Sequence, residues 1–513
     1  MRRSTRAAVL PLLALAAAAP ALAAKGHHPA PVKVAQANPG SNPGTVDSVI
    51  APLLSPPQGK PSLTLGEALA VAYETNPQLA AQQAAQRAED ESVAIANGNW
   101  RPTISAGGTY AYNQFYFFPQ TVTDTNGNVV FGPFSNISAH PLQGAVTVTQ
   151  PVFRGGRTYA EINRAKAQVR AGRAQLLAAE QTVLLSAATS YMDVVRDGAI
   201  LRLREHNVEV LKKQRDATVA QFNAGSLTRT DVAQSEARLA GAMSDLTAAQ
   251  SQLATSNANF IQAIGRQPET LENEPALPPA LPSDVDSSVV LALKSNPAMT
   301  QARENEVAAN YGVDDALGAL LPTFSVQGQY GYQQGSIVSP TGTINVGTPH
   351  TASHEVAVTG QLNVPIYQAG VEEATVRQAK ELHAQAELNV QVSDRQVRDA
   401  VATAWASFEA AEAAIASNES ALKANEIAFE GVSKEQQVGG RTILDVLNAE
   451  QELLNSGVAL VTAKRNAEVA AFQVLSANGT LTARTLGLEV KLYDPLDHYN
   501  DDAGRWIGLD GSD

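Results

Sequence analysis

Two corners of the chain set a carboxylate at a fixed distance from a glycine. AGSLTRTDVAQSEARL fills residues 224–239 and GGRTILDVLNAEQEL fills 439–453. In each, an Asp-Val pair follows a Gly by six residues: Gly225 to Asp231-Val232, and Gly439 to Asp445-Val446. The glycines are 214 residues apart, and so are the aspartates. Glycine tolerates positive φ and lets two antiparallel helices reverse. A carboxylate in the turn that follows complements the helix dipole. Such corners can turn the chain and place a charge at the start of a helix. There is no Cys, which excludes disulfides, thiolate metal sites, cysteine nucleophiles and a lipid anchor on Cys. The eight His are scattered, and no Ser/His/Asp motif or phosphate loop stands out, so neither an enzyme nor a cofactor is expected. His350 and His354 have i,i+4 spacing, but that spacing makes a metal site on a helix, and these two lie in a loop beside a strand.

The elements that must carry the corners are long. No proline occurs between Pro151 and Pro268, or between Pro365 and Pro495. These stretches are rich in Ala, Gln, Glu, Lys, Arg and Leu, all good helix formers. Arg157 to Asn223 and Val371 to Gln437 are 67 residues each, so each predicted helix is ~100 Å long. The apolar residues are mostly small, as in AQLLAAEQTVLLSAATSYMDVV (174–195), which suits closely packed helices in a curved wall rather than a two-stranded rod. Return helices run from the corners to Ile264 and its counterpart. A Pro-rich break (265–282) follows the first, and about 22 helical residues precede each first strand (78–99 and 298–319). Stacked end to end, short and return helices match the outgoing helix in height. The break must then pack as a belt, in which Thr64-Leu65-Gly66-Glu67 is a capping-box start for a small helix.

Four segments alternate with period two. Ile104, Ala106, Gly108, Tyr110 and Tyr112 face one way and Thr103, Ser105, Gly107, Thr109 and Asn113 the other. Phe324 to Tyr332 repeats the pattern, and Leu142 to Thr149 and Val356 to Asn363 supply the second strand of each pair. Strands of about 10 residues with one apolar and one uncharged polar face fit a transmembrane β-barrel. Aromatics near the loop ends (Tyr110, Tyr112, Phe115, Tyr116, Phe117, Phe118, Tyr330, Tyr332) fit an interfacial girdle. Four strands cannot close a barrel, and an open edge in lipid strands backbone groups. The chain must therefore oligomerise. Two copies give eight strands and a filled interior; three give twelve and a pore. Loops 114–141 and 334–353 would face outside.

The N-terminus reads as an export signal over 1–23: Arg2, Arg3 and Arg6, an apolar run from Ala7 to Ala19, then Ala21-Leu22-Ala23. Residues 24–62, rich in Pro, Ala, Gly and Ser, read as a disordered linker. The formal charge of −13 becomes −16 without the signal arginines. Nucleic-acid binding needs a basic footprint that this chain lacks. No other apolar run is long enough for a transmembrane helix.

The corners belong to a larger duplication. Asn76-Pro77 recurs as Asn296-Pro297 and PTISAGGTYAY (102–112) as PTFSVQGQYGY (322–332), offset 220. Beyond the loop the offset is 214: Pro151 and Pro365, Gly156 and Gly370, Gly265 and Gly479. The units are 63–282 and 283–493, with an acidic tail over 494–513.

Strand pair, long helix, Gly-x5-Asp-Val corner, return helix and Pro-rich belt, all duplicated, resemble the outer membrane efflux protein family, the TolC-like channels. The local resemblance is strongest at VGGRTILDVLNAEQELLNS (438–456), with FNAGSLTRTDVAQSEARL (222–239) as the first corner. The resemblance implies an α+β fold: a homotrimer with a twelve-stranded transmembrane barrel in outer-membrane lipid and a twelve-helix coiled-coil tunnel in the periplasm. It implies a passive exit duct for drugs or secreted proteins, opened when a periplasmic adaptor (membrane fusion protein) and an inner-membrane transporter of RND or ABC type dock. It further implies a gate at Thr230, Asp231 and Arg441, with Gln436 where relatives have Tyr. Asp445 would form an entrance ring, with Asn448 where some relatives have a second carboxylate. Gly225, Ser226, Leu227, Gly439 and Gly440 would meet the adaptor. A trimeric adhesin-like surface coiled coil is the alternative. It would need a single C-terminal barrel segment, whereas the strands here lie within each repeat.

Overall fold

A computed structural model describes residues 63–117, 121–123, 125–131, 135–272, 281–335 and 352–508. The expected signal and linker, Phe118, His350 and the chain from 509 onward lie outside the described residues. The first repeat contains α1 (Leu65–Thr75), α2 (Pro77–Gly98), β1 (Thr103–Tyr110) and β6 (Leu142–Arg154), then α3 (Arg157–Asn223) and α4 (Arg229–Ile264). Between β1 and β6 lie β2 (Asn113–Phe117), β3 (Thr121–Thr123), β4 (Val129–Phe131) and β5 (Ser135–Ala139). The second repeat contains α5 (Val285–Ser295), α6 (Pro297–Gly318), β7 (Thr323–Gln334), β8 (Ala352–Asn363), α7 (Val371–Gln437) and α8 (Ile443–Asn478). The helix α9 (Pro495–Asp502) follows. α3 and α7 are 67 residues each and α2 and α6 are 22 each.

The Asn-Pro repeats join helix to helix. Asn76 Oδ1 accepts from Gln78 N (2.9 Å) to start α2, and Asn76 Nδ2 donates to Ala263 O (3.2 Å) at the end of α4. Asn296 repeats this with Ala298 N (2.9 Å) and Ala477 O (2.8 Å). One side chain thus satisfies orphan groups of two helix ends and stacks them end to end. Gly479 at φ +77° completes the second joint, where an added Cβ would sit 2.5 Å from Ser295 O.

The belt is part of the core. The expected capping box opens α1, Thr64 N donating to Glu67 Oε2 (2.8 Å). Leu65, Leu69 and Tyr73 pack against Leu184, Tyr191, Phe260 and Leu475. Tyr191 is fully buried; its hydroxyl donates to Leu63 O (3.0 Å) and accepts from Glu272 N (2.8 Å), tying the belt's two passes together. Its counterpart, 214 residues on, is Trp405, whose Nε1 donates to Ser288 Oγ on α5.

The four long strands form one antiparallel sheet, ordered β1-β6-β7-β8, with β1 and β8 at its edges. Register keeps the expected faces together: Ile104 opposite Val148, Tyr330 opposite Val356, Thr147 opposite Gln329 and Thr323 opposite Asn363. One expectation fails. The polar face is not uncharged, because Glu355 pairs with Gly331 on it. The segment 114–141 is also more than a loop, since β2 pairs with β5 and β3 with β4 in two further ladders. Tyr110 and Tyr112 contact His140, and Tyr330 and Tyr332 contact His354 in the same way. Tyr330 Oη lies 2.8 Å from His354 Nδ1. At the opposite strand ends, Trp100, Phe153 and Tyr367 are exposed. Aromatic side chains thus lie at both ends of the sheet.

The acidic tail forms α9, which lies along α2. Asn97 Nδ2 donates to Ala503 O (2.9 Å), and the Arg101 guanidinium carbon sits 4.8 Å from the Trp506 ring centre.

Candidate functional site

The two corners are built alike. At the end of α3, Ser226 N donates to Gln221 O (3.0 Å) around Gly225 at φ +77°. At the end of α7, Gly440 N donates to Glu435 O (2.8 Å) around Gly439 at φ +81°. These bonds close the last helical turn, and only glycine takes that φ without strain.

The return helices then start on a capped threonine. Thr228 N and Oγ1 donate to Asp231 Oδ2 (2.8 and 2.7 Å), and Asp231 N donates to Thr228 Oγ1 (3.4 Å). Thr442 and Asp445 repeat the arrangement at 2.9, 2.8 and 3.2 Å. These are capping boxes with Asp in the reciprocal position. Because each turn needs these cap residues, α4 and α8 begin at Arg229 and Ile443 rather than directly after the glycine. The Thr228 hydroxyl and backbone N–H hold the Asp231 carboxyl below the usual carboxylate range. For Asp445 the Thr442 backbone N–H does most, then its hydroxyl, with the Arg441 charge adding to them. Both carboxyls are anionic at neutral pH.

The other expected gate residues are placed differently. Thr230 is exposed on the first turn of α4, and Gln436 is half-buried, with its carbonyl accepting from Gly439 N (2.9 Å). Arg441 donates through Nε to Glu435 Oε2 (2.8 Å), an acceptor at its own corner. Within the single chain no ion pair joins Arg441 to Asp231 among the described residues. Asn448 Oδ1 accepts from Arg238 Nη2 (2.9 Å), linking α8 to α4. Of the expected tip residues, Gly225, Ser226, Gly439 and Gly440 are exposed. Leu227 is half-buried and packs on Leu211, Ala242, Ile443 and Leu447, a cluster that fastens one hairpin to the other. Its side chain therefore belongs to the joint between the tips.

Three residues here escaped the reading of the sequence. Arg238 lies two turns beyond Asp231 on the same helix face, and Glu435 lies in the last turn of α7. Glu450 interrupts the buried stripe Val446, Leu447, Leu453, Leu454 of α8. It is 8% exposed, its Oε1 has no hydrogen-bond partner, and burial raises its pKa to about 7. An acid at the i+3/i+4 spacing of an apolar stripe is a legible signal.

Two clusters away from the tips have ligand types for a cation: Glu306, His383 and Glu387, and Glu91, His498 and Asp502. His354 has its ring against Tyr330 and Tyr332 instead.

The outer membrane efflux protein family model matches residues 68–266 and 289–480. The chain is 36% identical over 448 residues to the outer membrane efflux protein BepC of Brucella suis, covering 87% of this chain and 92% of that one. It is 25% identical over 438 residues to the outer membrane protein TolC of Escherichia coli, covering 83% and 85%. In structure it superposes on the CmeC outer membrane channel of Campylobacter jejuni with a TM-score of 0.67, 16% identity, and 86% and 89% coverage. A match over most of both repeats, and a relative this similar along nearly its whole length, place the chain in the outer membrane efflux protein family, whose members are bacterial outer-membrane channels.

Proposed function

We propose that three copies of this chain assemble into one continuous duct, which serves as the exit channel of a tripartite efflux or type I secretion system. The observation that carries the reading is the sheet β1-β6-β7-β8, with a lipid-compatible face, a polar face and two unpaired edges, set on two 67-residue helices. Edges β1 and β8 must pair with other copies, because lipid cannot satisfy their backbone groups. Three copies give twelve strands, enough to leave a lumen lined by Gln143, Thr147, Gln327, Gln329 and their neighbours. The aromatic side chains at the two ends of the sheet mark the two membrane interfaces. The domain limits 63–282 and 283–493 take one set of elements each, closing with the return helix α4 or α8 and the segment after it.

The helical hairpins extend into the periplasm and end in six corners per trimer. Asp445 supplies an entrance ring of three fixed charges. The capping box holds each carboxylate ionised and in place. Asn448, tied to Arg238, adds no charge to the ring. Asp231, Thr230, Arg441 and Gln436 form the contacts of the closed state between copies, and Arg441 exchanges Glu435 for a neighbour's acceptor as the state changes. The exposed glycines and Ser226 meet the adaptor, while Leu227 keeps the two hairpins in register beneath them. A membrane fusion protein and an RND or ABC transporter supply the energy, and the duct itself does no chemistry.

The test is block by a multivalent cation, hexaamminecobalt, added at the tip side of single channels in a planar bilayer. Asp445→Asn keeps an oxygen for the cap and removes the charge. It raises the blocking concentration roughly tenfold if the three carboxylates form the ring. Unchanged block removes Asp445 from the entrance.

A further inference from the structure

The helix α9 carries His498 and Asp502 one turn apart, facing Asp90 and Glu91 of α2. A ring nitrogen of His498, a carboxylate oxygen of Asp502 and one of Glu91 all lie within 4.8 Å of one another. His498 Nε2 is 3.2 Å from Asp502 Oδ2. Two donors on a tetrahedral zinc ion, each about 2.1 Å away, lie ~3.4 Å apart.

The ring's other side gives an independent observation. Asp90 is 1% exposed, and its Oδ2 has no hydrogen-bond partner although it is aimed at His498 Nδ1, 3.6 Å away. His498 Nδ1 likewise has no hydrogen-bond partner. Asp90 Oδ1 accepts from Gln86 Nε2 (2.8 Å), with Arg173 Nη2 4.0 Å off. A buried carboxylate oxygen without a partner is costly. A neutral imidazole has one N–H, so it can satisfy Asp90 or Asp502 but leaves a lone pair facing the other carboxylate. A cation on Nε2 resolves this. The proton then sits on Nδ1 and points at Asp90, the carboxylate–histidine–metal arrangement that fixes tautomer and ring orientation. Charge agrees. Asp90, Glu91 and Asp502 face the guanidinium groups of Arg173 and of Arg505, which lies 3.1 Å from Asp502 Oδ1, and so leave one net negative charge.

We propose that His498 Nε2, Asp502 Oδ2 and Glu91 form a site for a zinc-type divalent cation, oriented by Asp90, that clamps the C-terminal helix to the first repeat. Imidazole with carboxylates suits zinc and its neighbours rather than magnesium or calcium. Asp90 is a positioning residue. The site lies on α2 and α9, away from the tips, and does not depend on how they open.

The test is calorimetric titration of Zn²⁺ alone into the untagged detergent-solubilised protein at pH 7, with the zinc count per chain taken after dialysis. One zinc per chain is expected at submicromolar affinity. His498→Asn should abolish it, and Asp90→Asn should weaken it roughly 10- to 100-fold while leaving the count at saturation unchanged. Zinc should also slow protease cleavage after Arg505 in the unaltered protein and not in His498→Asn. The assembled mass of each variant controls for folding, because α9 is peripheral. The proposal is overturned if no zinc binds, or if binding survives His498→Asn and is lost in His383→Asn. It is equally overturned if the tail is protected only as pH falls and never by zinc, which would make His498 an imidazolium bridge.

Discussion

At the scale of single residues, the corner aspartates have a structural task that any gating task must share. Asp231 and Asp445 each close a capping box, and the box keeps each carboxyl acidic. Thr442→Ala removes the hydroxyl that Asp445 N donates to. Amide exchange in the first turn of α8 should then quicken roughly fivefold, with the rest of the helix unchanged; unchanged exchange would show that the box does not hold the tip. The sign with pH follows from a lowered carboxyl. The cap's contribution is present above about pH 3.8, the ordinary Asp value, and is lost as pH falls through the lower folded value. The Gly-x5-Asp-Val spacing made the turns and the helix-start placement of the aspartates legible in the sequence, whereas the reciprocal caps on Thr228 and Thr442 emerge only in the structure. Arg441 with Glu435, and Arg238 with Asn448, were not legible either, because long side chains choose among several acceptors and spacing does not decide between them.

At the scale of elements, the buried Glu450 sets how firmly α8 holds its hairpin. Its pKa is raised from 4.5 to about 7. Folding therefore binds a proton between those values, and stability falls as pH rises through about 4.5–7 and stays low above. Glu450→Gln should stabilise the α7–α8 hairpin at pH 8 by ~3 kcal/mol at most and have little effect near pH 4. Thermal unfolding at both pH values measures it, and an equal effect at the two would contradict the burial account. At the belt, Tyr191→Phe leaves Leu63 O and Glu272 N without their shared hydroxyl and should cost ~1–3 kcal/mol. Melting of the purified protein reads this, and an unchanged melting temperature would mean the belt is held by packing alone. Helix and strand limits were largely readable, because proline absence and period-two alternation are local signals. The pairs β2–β5 and β3–β4 were not, since β2, β3, β4 and β5 are only three to five residues each and the run Phe115 to Phe118 reads as an aromatic cluster rather than as an alternating strand. The docking of α9 on α2 depends on partners some 400 residues apart, such as Asn97 and Ala503, which no local pattern announces.

At the scale of the whole molecule, duplication and incompleteness explain each other. One repeat supplies two long strands and two long helices, and the chain supplies four of each long strand and coiled helix run, stacked through Asn76 and Asn296. Among the described residues the sheet still ends in β1 and β8, whose outer edges have no strand partner. A sheet with an apolar face and two such edges is incomplete in lipid on its own, which is the ground for the proposed assembly of copies. Barrel diameter grows with strand number, and eight strands enclose an interior that side chains just fill, so the proposed twelve would enclose a wider one. The number of chains in the detergent-solubilised assembly decides this architecture, and native mass spectrometry counts it directly. A single species of three chains, three times the mass of one, is expected; a stable monomer, or a closed dimer of eight strands, would contradict the proposed duct.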